Sequence, residues 1–146
     1  MDSIVNENNV RFSQAYSIRT MAMRDLYKKL IQAEHNLKVY INPHRPSKNK
    51  LAELEVKFRE SNSEFYDYFK ENEILFDSDV CGLIEDIQMI FINSVIEMED
   101  IDRSATVISK EDRVRNWEKY NEDFEKVIPE IKVKLKTSFR AELGIK

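Results

Sequence analysis

A pair of carboxylates is the first feature of this sequence whose spacing is suited to chemistry. Glu97 and Asp100 stand three residues apart, which places them one turn apart on a helix. An Mg²⁺-dependent nucleotide hydrolase would use such a pair, so this is one hypothesis for the function. The Glu-Glu-x-x-Glu run that would complete the site is missing, and the apolar spacing turns Met98 and Ile101 inward instead. We therefore expect a solvated acidic face at this position.

The histidines and the cysteine form no catalytic or metal-binding motif. Helical di-metal sites use Glu-x-x-His pairs, but neither His35 nor His44 has a glutamate three residues before it. The single Cys81 has no histidine near it in the sequence to activate it as a nucleophile. We expect Cys81 to be a small buried residue and the histidines to lie at the surface. The sequence thus predicts no enzymatic activity, no metal and no cofactor.

Composition limits both the architecture and the compartment. The 146 residues include only two glycines and three prolines, whereas the tight turns of sheet proteins depend on glycine. No stretch approaches the roughly 20 apolar residues of a membrane span, and residues 1–9 do not resemble a signal peptide. One cysteine allows no internal disulfide. We expect an all-α protein of the cytoplasm, with membrane association as the alternative.

Apolar residues recur in steps of three and four, the pattern of amphipathic helices of the coiled-coil type. This periodicity predicts four helices, over about residues 8–41, 48–72, 78–102 and 110–143. Prolines at 43 and 46 would end the first helix, and Gly144 would stop the last. Candidate N-caps for the later helices are Ser47, Asp77 or Ser78, and Ser109.

Two segments of the fourth helix are ambiguous in the sequence. Pro129 removes a backbone donor, so it would either kink this helix or begin a separate one. Residues 131–136 alternate apolar and lysine side chains, as a half-buried strand would. The chain offers no second strand to pair with this segment, so we predict a helix.

Short connections predict a single domain, 1–146, folded as an antiparallel up-down-up-down four-helix bundle with long first and last helices. The start of the first helix and the end of the last would then protrude at the same end of the bundle. Two helices alone cannot bury their apolar stripes, and an unburied apolar patch indicates an interface. We expect a homodimer or protein-partner interface formed by Phe12, Tyr16, Leu135, Phe139 and Leu143.

The charge distribution is uneven. Residues 11–50 carry a net charge of +7 and residues 51–103 a net charge of −11, within a total of −4. Arg19 falls on the apolar stripe of the first helix, where it would either extend its guanidinium to solvent or meet an acidic partner such as Asp67 or Glu71. The protruding end would be cationic, with a candidate anion-binding surface formed by Arg11, Arg24, Lys132, Lys134, Lys136 and Arg140.

A short segment carries a resemblance. Phe12-Ser-Gln-Ala-Tyr16-Ser-Ile-Arg19, followed by Leu26-Tyr27-Lys-Lys-Leu30, resembles a segment of uncharacterised bacterial helical-bundle proteins. In those proteins a Phe-Ser-x-x-x-x-x-Arg stretch precedes a Leu-Tyr-x-x-Leu helix, often after a membrane anchor or coiled coil. The resemblance covers residues 12–30 and implies a helical bundle, but no activity.

Three hypotheses for the function follow. The leading hypothesis is a non-enzymatic helical bundle that acts through protein–protein interaction. The second is a module that binds a membrane surface or another anionic partner through the cationic end. The third is the Mg²⁺-dependent hydrolase. Nucleic acid is not an expected partner, because the chain is acidic and does not interleave basic with aromatic residues.

Overall fold

The computed structural model describes the backbone of residues 2–42, 48–103, 110–142 and 144, and side chains at residues 16–42, 50–99, 124–141 and a few further positions. These residues form four α-helices and no strand: α1 (Asp2–Ile41), α2 (Lys48–Glu71), α3 (Ser78–Arg103) and α4 (Lys110–Glu142). One turn of 3-10 helix, Glu73–Leu75, joins α2 to α3. The prediction of an all-α four-helix protein is confirmed.

The observed helix ends follow the capping residues of the sequence. The Val80 amide donates a hydrogen bond of 2.8 Å to Asp77 Oδ1, so Asp77 rather than Ser78 caps α3. Gly144 has a φ of 70°, a conformation that a side chain would strain, as a C-terminal stop requires. The predicted caps Ser47 and Ser109 lie outside the described residues.

The two ambiguous segments of the last helix are both helical. α4 continues through Pro129, so the proline does not begin a separate helix. Pro129 has no N–H to donate to the carbonyl one turn earlier in the helix. Because Pro129 is exposed, that carbonyl lies on the solvent side of α4. The alternating segment 131–136 belongs to the same helix, where Ile131 and Leu135 are buried four residues apart. The prediction of helix over strand is confirmed.

Contacts between neighbouring helices run in opposite residue order, which is consistent with antiparallel packing. Between α1 and α2, the Asn36 side-chain amide donates to Ser61 Oγ at 3.0 Å. Earlier on α1 and later on α2, Lys29 Nζ lies 5.4 Å from the ring centre of Tyr68. Contacts also join α3 to α4 and α1 to α3.

The middle of α1 lies beside the end of α4. Lys38 of α1 lies 5.7 Å from the ring centre of Phe124, while Tyr27 lies 5.5 Å from Lys136 Nζ, further along α4. The sequence predicted the start of the first helix at this position, but the part of α1 beside the end of α4 is residues 20–28, and the charged side chains of these two segments share one surface.

One continuous core fills the space between the helices. Phe91 of α3 stands at its centre, with ring centroids 6.1 Å from Phe58, 6.4 Å from Phe65 and 6.2 Å from Phe124. Phe91 thus connects α2, α3 and α4 through aromatic contacts. The largest fully buried side chains are Phe65, Phe69, Phe91, Phe124, Met23, Leu26, Leu30, Leu37, Ile84, Ile87, Ile128 and Leu135.

The first helix extends beyond this core at its N-terminal side. α1 has 40 residues, or about 60 Å. The four residues from Tyr16 to Arg19 are all exposed, and because four residues cover a full helical turn, no side of α1 is covered there. Of the two alternatives predicted for Arg19, an acidic partner or a guanidinium extended to solvent, the structure agrees with the second, because Arg19 is exposed.

Candidate functional site

A groove between α1 and α4 combines apolar and cationic side chains. It has a volume of about 400 Å³ and opens to solvent. Met23 and Phe139 are buried and form its floor, whereas the charged side chains stand exposed at its edges. We call this surface the α1–α4 groove, and its lining residues are Thr20, Met23, Arg24, Tyr27, Lys28, Lys136, Phe139 and Arg140.

Helical spacing builds this groove from two short sequence segments. Arg24 and Lys28 are four residues apart on α1, and Lys136 and Arg140 are four residues apart on α4. Each pair therefore follows one edge of its helix. On α1, Met23 directly precedes Arg24 and Tyr27 directly precedes Lys28. Met23 and Tyr27 face the core side.

The cationic side chains of the groove are only partly neutralised. Arg24 Nε lies 3.5 Å from Asp25 Oδ1, and Lys136 Nζ lies 5.5 Å from the Tyr27 ring centre, a cation–π contact. Among the described side chains, no carboxylate forms an ion pair with Lys28, Lys136 or Arg140. The surface therefore attracts negative charge.

The structure brings together half of the predicted anion-binding surface. Arg24, Lys136 and Arg140 all line the α1–α4 groove. Lys134, two positions before Lys136 on α4, lines a different groove together with Asp79 and Asp86 of α3. The side chain of Arg11, also predicted for this surface, lies outside the described residues.

Lys132, the remaining member of that prediction, has a structural role instead. Its Nζ lies 3.1 Å from Oε2 of Glu34, a residue that is only 6% exposed. Lys38 pairs with the other oxygen of Glu34 at 3.3 Å. The prediction that Lys132 belongs to an anion-binding surface is wrong, because this ammonium is already paired with a buried carboxylate.

Replacing Lys132 with methionine is expected to lower the free energy of unfolding by about 1–3 kcal/mol, because the buried Glu34 carboxylate loses one of its two cations. Lys134→Met is the matched control and should change this free energy by less than about 0.5 kcal/mol, since Lys134 is exposed. Urea unfolding followed by circular dichroism measures both. Equal effects of the two variants would contradict a structural role for Lys132.

The predicted apolar interface is only partly exposed. Leu135 is fully buried and Phe139 is 8% exposed, so the prediction that they form an open interface is wrong. The reason is that α1 covers the C-terminal turns of α4 along the groove, instead of leaving them protruding. Tyr16 is 42% exposed, and the side chains of Phe12 and Leu143 lie outside the described residues.

Of the residues considered for catalysis, Cys81 and His35 lie within the described part of the chain, whereas His44 lies outside it. Cys81 is half-buried, and burial, with the charges of Glu73 and Asp77, raises the pKa of its thiol, which makes it a poor nucleophile. His35 is exposed. In the described part of the chain, no three His, Cys, Asp or Glu side chains lie close enough together to hold a metal ion.

The Glu97–Asp100 pair can be described only in part. Met98 is buried, as the apolar spacing predicted, and Glu97 lies half-buried beside it. The neighbouring Glu99 pairs with Arg59 of α2 at 3.0 Å. The side chain of Asp100 lies outside the described residues. The hydrolase hypothesis therefore gains no support from the described geometry.

Comparisons of the chain with protein-family models, with curated proteins and with solved structures find no match. Of the helices described, none combines the length and apolar character needed to cross a bilayer. The resemblance of residues 12–30 to bacterial helical-bundle proteins stays a prediction.

Lys28 lines the groove but is not among the residues predicted for the cationic surface. Its spacing of four residues from Arg24 was the available signal, because it places both cations on one side of α1. Nothing in the sequence distinguishes the residues that form the floor of the groove from other apolar residues. Met23, Tyr27 and Phe139 have the same spacing as ordinary core residues, and only the packing of α4 on α1 leaves a concave surface above them.

Proposed function

We propose that this chain is a non-enzymatic interaction module whose α1–α4 groove binds an acidic amphipathic helix of a partner protein. The observation that carries the proposal is the presence of an apolar floor and four cationic side chains in one concave surface. An amphipathic helix bound in a groove places its apolar side chains on the floor. Its carboxylates would pair with the cations at the edges, which gives the complex its orientation and specificity.

The dimensions of the groove suit a short helix. Thr20 and Lys28 mark its length along α1, a separation of eight positions or about 12 Å, slightly more than two helical turns. A partner helix of two to three turns would reach both ends. Its carboxylates would need the four-residue spacing that Arg24 and Lys28 have, and that Lys136 and Arg140 repeat on the opposite edge.

The recessed floor favours a protein partner over a membrane surface. Helices that bind membranes present protruding apolar side chains, which enter the boundary between headgroups and acyl chains. In the α1–α4 groove the apolar residues lie lower than the charged edges: Met23 is 2% exposed and Phe139 is 8% exposed. A partner side chain can enter this recess, whereas a flat lipid surface would contact mainly the edges.

Reversal of one edge charge tests the proposal. A fluorescent synthetic peptide of about eleven residues, helical and amphipathic with glutamates beside its apolar face, serves as the probe. Lys136→Glu should raise the dissociation constant about threefold to tenfold, because it replaces one attraction with a repulsion. Added salt should weaken binding to the wild-type protein. Fluorescence anisotropy measures both effects.

Lys134→Glu is the matched control, because it makes the same change two positions away on α4, outside the groove. It should alter the dissociation constant less than twofold. Equal weakening by the two variants would contradict a site in the groove. Binding to vesicles of anionic lipid, with no binding to the peptide, would show that the cationic surface serves a membrane.

A further inference from the structure

The first helix continues past the core that it helps to form. Residues 2–19 belong to α1, and the described side chains at positions 14 and 16–19 are all exposed. This part of α1 leads directly away from the α1–α4 groove, whose α1 wall begins at Thr20. A helix of this length is only marginally stable in water by itself, so contact with another surface would stabilise it. We call residues 2–10 the α1 arm.

The sequence of the α1 arm is that of a short acidic amphipathic helix. Residues 2–10, Asp-Ser-Ile-Val-Asn-Glu-Asn-Asn-Val, contain two carboxylates and no cation. Helical spacing places Ile4 and Val5 about 100° apart on one side of α1. Asp2 lies about 60° beyond Val5, and Glu7 lies about 60° beyond Ile4. One carboxylate therefore follows each flank of the apolar pair, as in an amphipathic helix.

The α1 arm and the α1–α4 groove match in charge and in length. The groove has cations at both edges, two from α1 and two from α4. Each flanking carboxylate of the arm would meet one edge, while the apolar pair meets the floor. Asp2 and Val10 are eight positions apart, or about 12 Å, and the groove likewise extends over eight positions, from Thr20 to Lys28.

We propose that the partner helix of the α1–α4 groove is the α1 arm of a second copy of this chain. This pairing rests on the proposed function of the groove and names the partner. The arm cannot reach the groove of its own chain, because the arm and one wall of the groove belong to the same continuous helix. With the two α1 helices antiparallel, each arm lies in the groove of the other copy, and the two-fold axis passes near residue 15.

This arrangement leaves room for both cores. If residues 2–10 of one copy lie along residues 20–28 of the other, the two copies of Thr20 are about 15 Å apart along the paired helices. Arg11 of one copy then comes level with Arg19 of the other. Arg11 and Tyr16 are about 140° apart around α1. Packing through Tyr16, which is 42% exposed in the single chain, therefore places Arg11 on the far side of the helix from the contact.

Charge reversal of the arm and of the groove tests the pairing. Asp2→Lys/Glu7→Lys reverses the arm, and Arg24→Glu/Lys136→Glu reverses both edges of the groove. In sedimentation velocity the wild-type chain should show a monomer–dimer equilibrium, and each variant should dimerise at least tenfold more weakly. An equimolar mixture of the two variants should recover a heterodimer, because a basic arm then meets an acidic groove and an acidic arm meets a cationic groove.

Glu53→Lys/Glu60→Lys is the matched control, because it makes the same charge change at two exposed positions of α2, outside both surfaces. It should alter the dissociation constant of the dimer less than twofold, and circular dichroism checks that all variants fold. A wild-type chain that is monomeric at every concentration would overturn the proposal. So would a mixture that stays monomeric, or a control that weakens the dimer as much as arm reversal does.

Peptide binding distinguishes a failure of this inference from a failure of the proposed function. Asp2→Asn/Glu7→Gln removes the charges of the arm without adding cations, so it should leave the groove free. The fluorescent acidic peptide should bind this variant at least threefold more tightly than the wild type, at concentrations where the wild type is dimeric. Equal binding to both, with a monomeric wild type, would overturn the second copy as partner and leave the proposed function standing. No binding to either protein would contradict the proposed function, and this inference with it.

Discussion

Replacing Phe91 with alanine should lower the free energy of unfolding by about 3–5 kcal/mol, the largest effect we expect from a single substitution in this chain. Phe91 is fully buried and contacts the rings of Phe58, Phe65 and Phe124. Truncation removes the transfer free energy of the ring and leaves a cavity that three helices border. The aromatic contacts add about 0.5–1.5 kcal/mol each to burial alone.

Chemical denaturation at low protein concentration, followed by circular dichroism, measures this loss without a contribution from self-association. Phe91→Leu is the control, because it keeps most of the apolar volume and should cost clearly less than the alanine variant. Phe91→Ala with a loss below about 1 kcal/mol would contradict the placement of Phe91 at the centre of the core.

Leu135→Ala should lower the free energy of unfolding by about 2–5 kcal/mol, the range for a buried leucine. The sequence predicted Leu135 as an interface residue, and an exposed interface residue would cost little stability when truncated. In the structure Leu135 is fully buried, two positions from Val133, which is 63% exposed. Val133→Ala is therefore the matched control, with an expected change of less than about 0.5 kcal/mol.

The same denaturation experiment separates these two roles for Leu135. The core role predicts a large stability loss and an unchanged association state for the variant that remains folded. If Leu135→Ala were as stable as the wild type and self-associated more weakly, Leu135 would be an interface residue. That result would contradict its burial between the helices.

The sequence predicted the fold because its signals were compositional or local. The scarcity of glycine over the whole chain excluded sheets, Asp77 or Ser78 marked the start of α3, and Gly144 marked the end of the last helix. Each of the two helix-end signals acts within a few residues, so one segment suffices to recognise it. Pro129 is the exception, because the helix tolerates it on its solvent side, and only the packed structure shows which side that is.

The candidate site was harder to predict because it depends on the register between helices. Lys132, Lys134 and Lys136 alternate along one segment and look equivalent in the sequence. In the structure one pairs with Glu34, one faces α3, and one lies at the α1–α4 groove. Their separation follows from how α4 lies against its neighbours, which no local pattern specifies.

The central claim is that the α1–α4 groove is a binding surface for an acidic amphipathic helix. The most direct test is a titration of isotope-labelled protein with the acidic peptide, followed by amide chemical shifts in NMR spectra. We predict that the largest shift changes fall in residues 20–28 of α1 and 136–140 of α4, and that Lys136→Glu reduces them. Shift changes confined to other surfaces, or their absence at peptide excess, would contradict the claim.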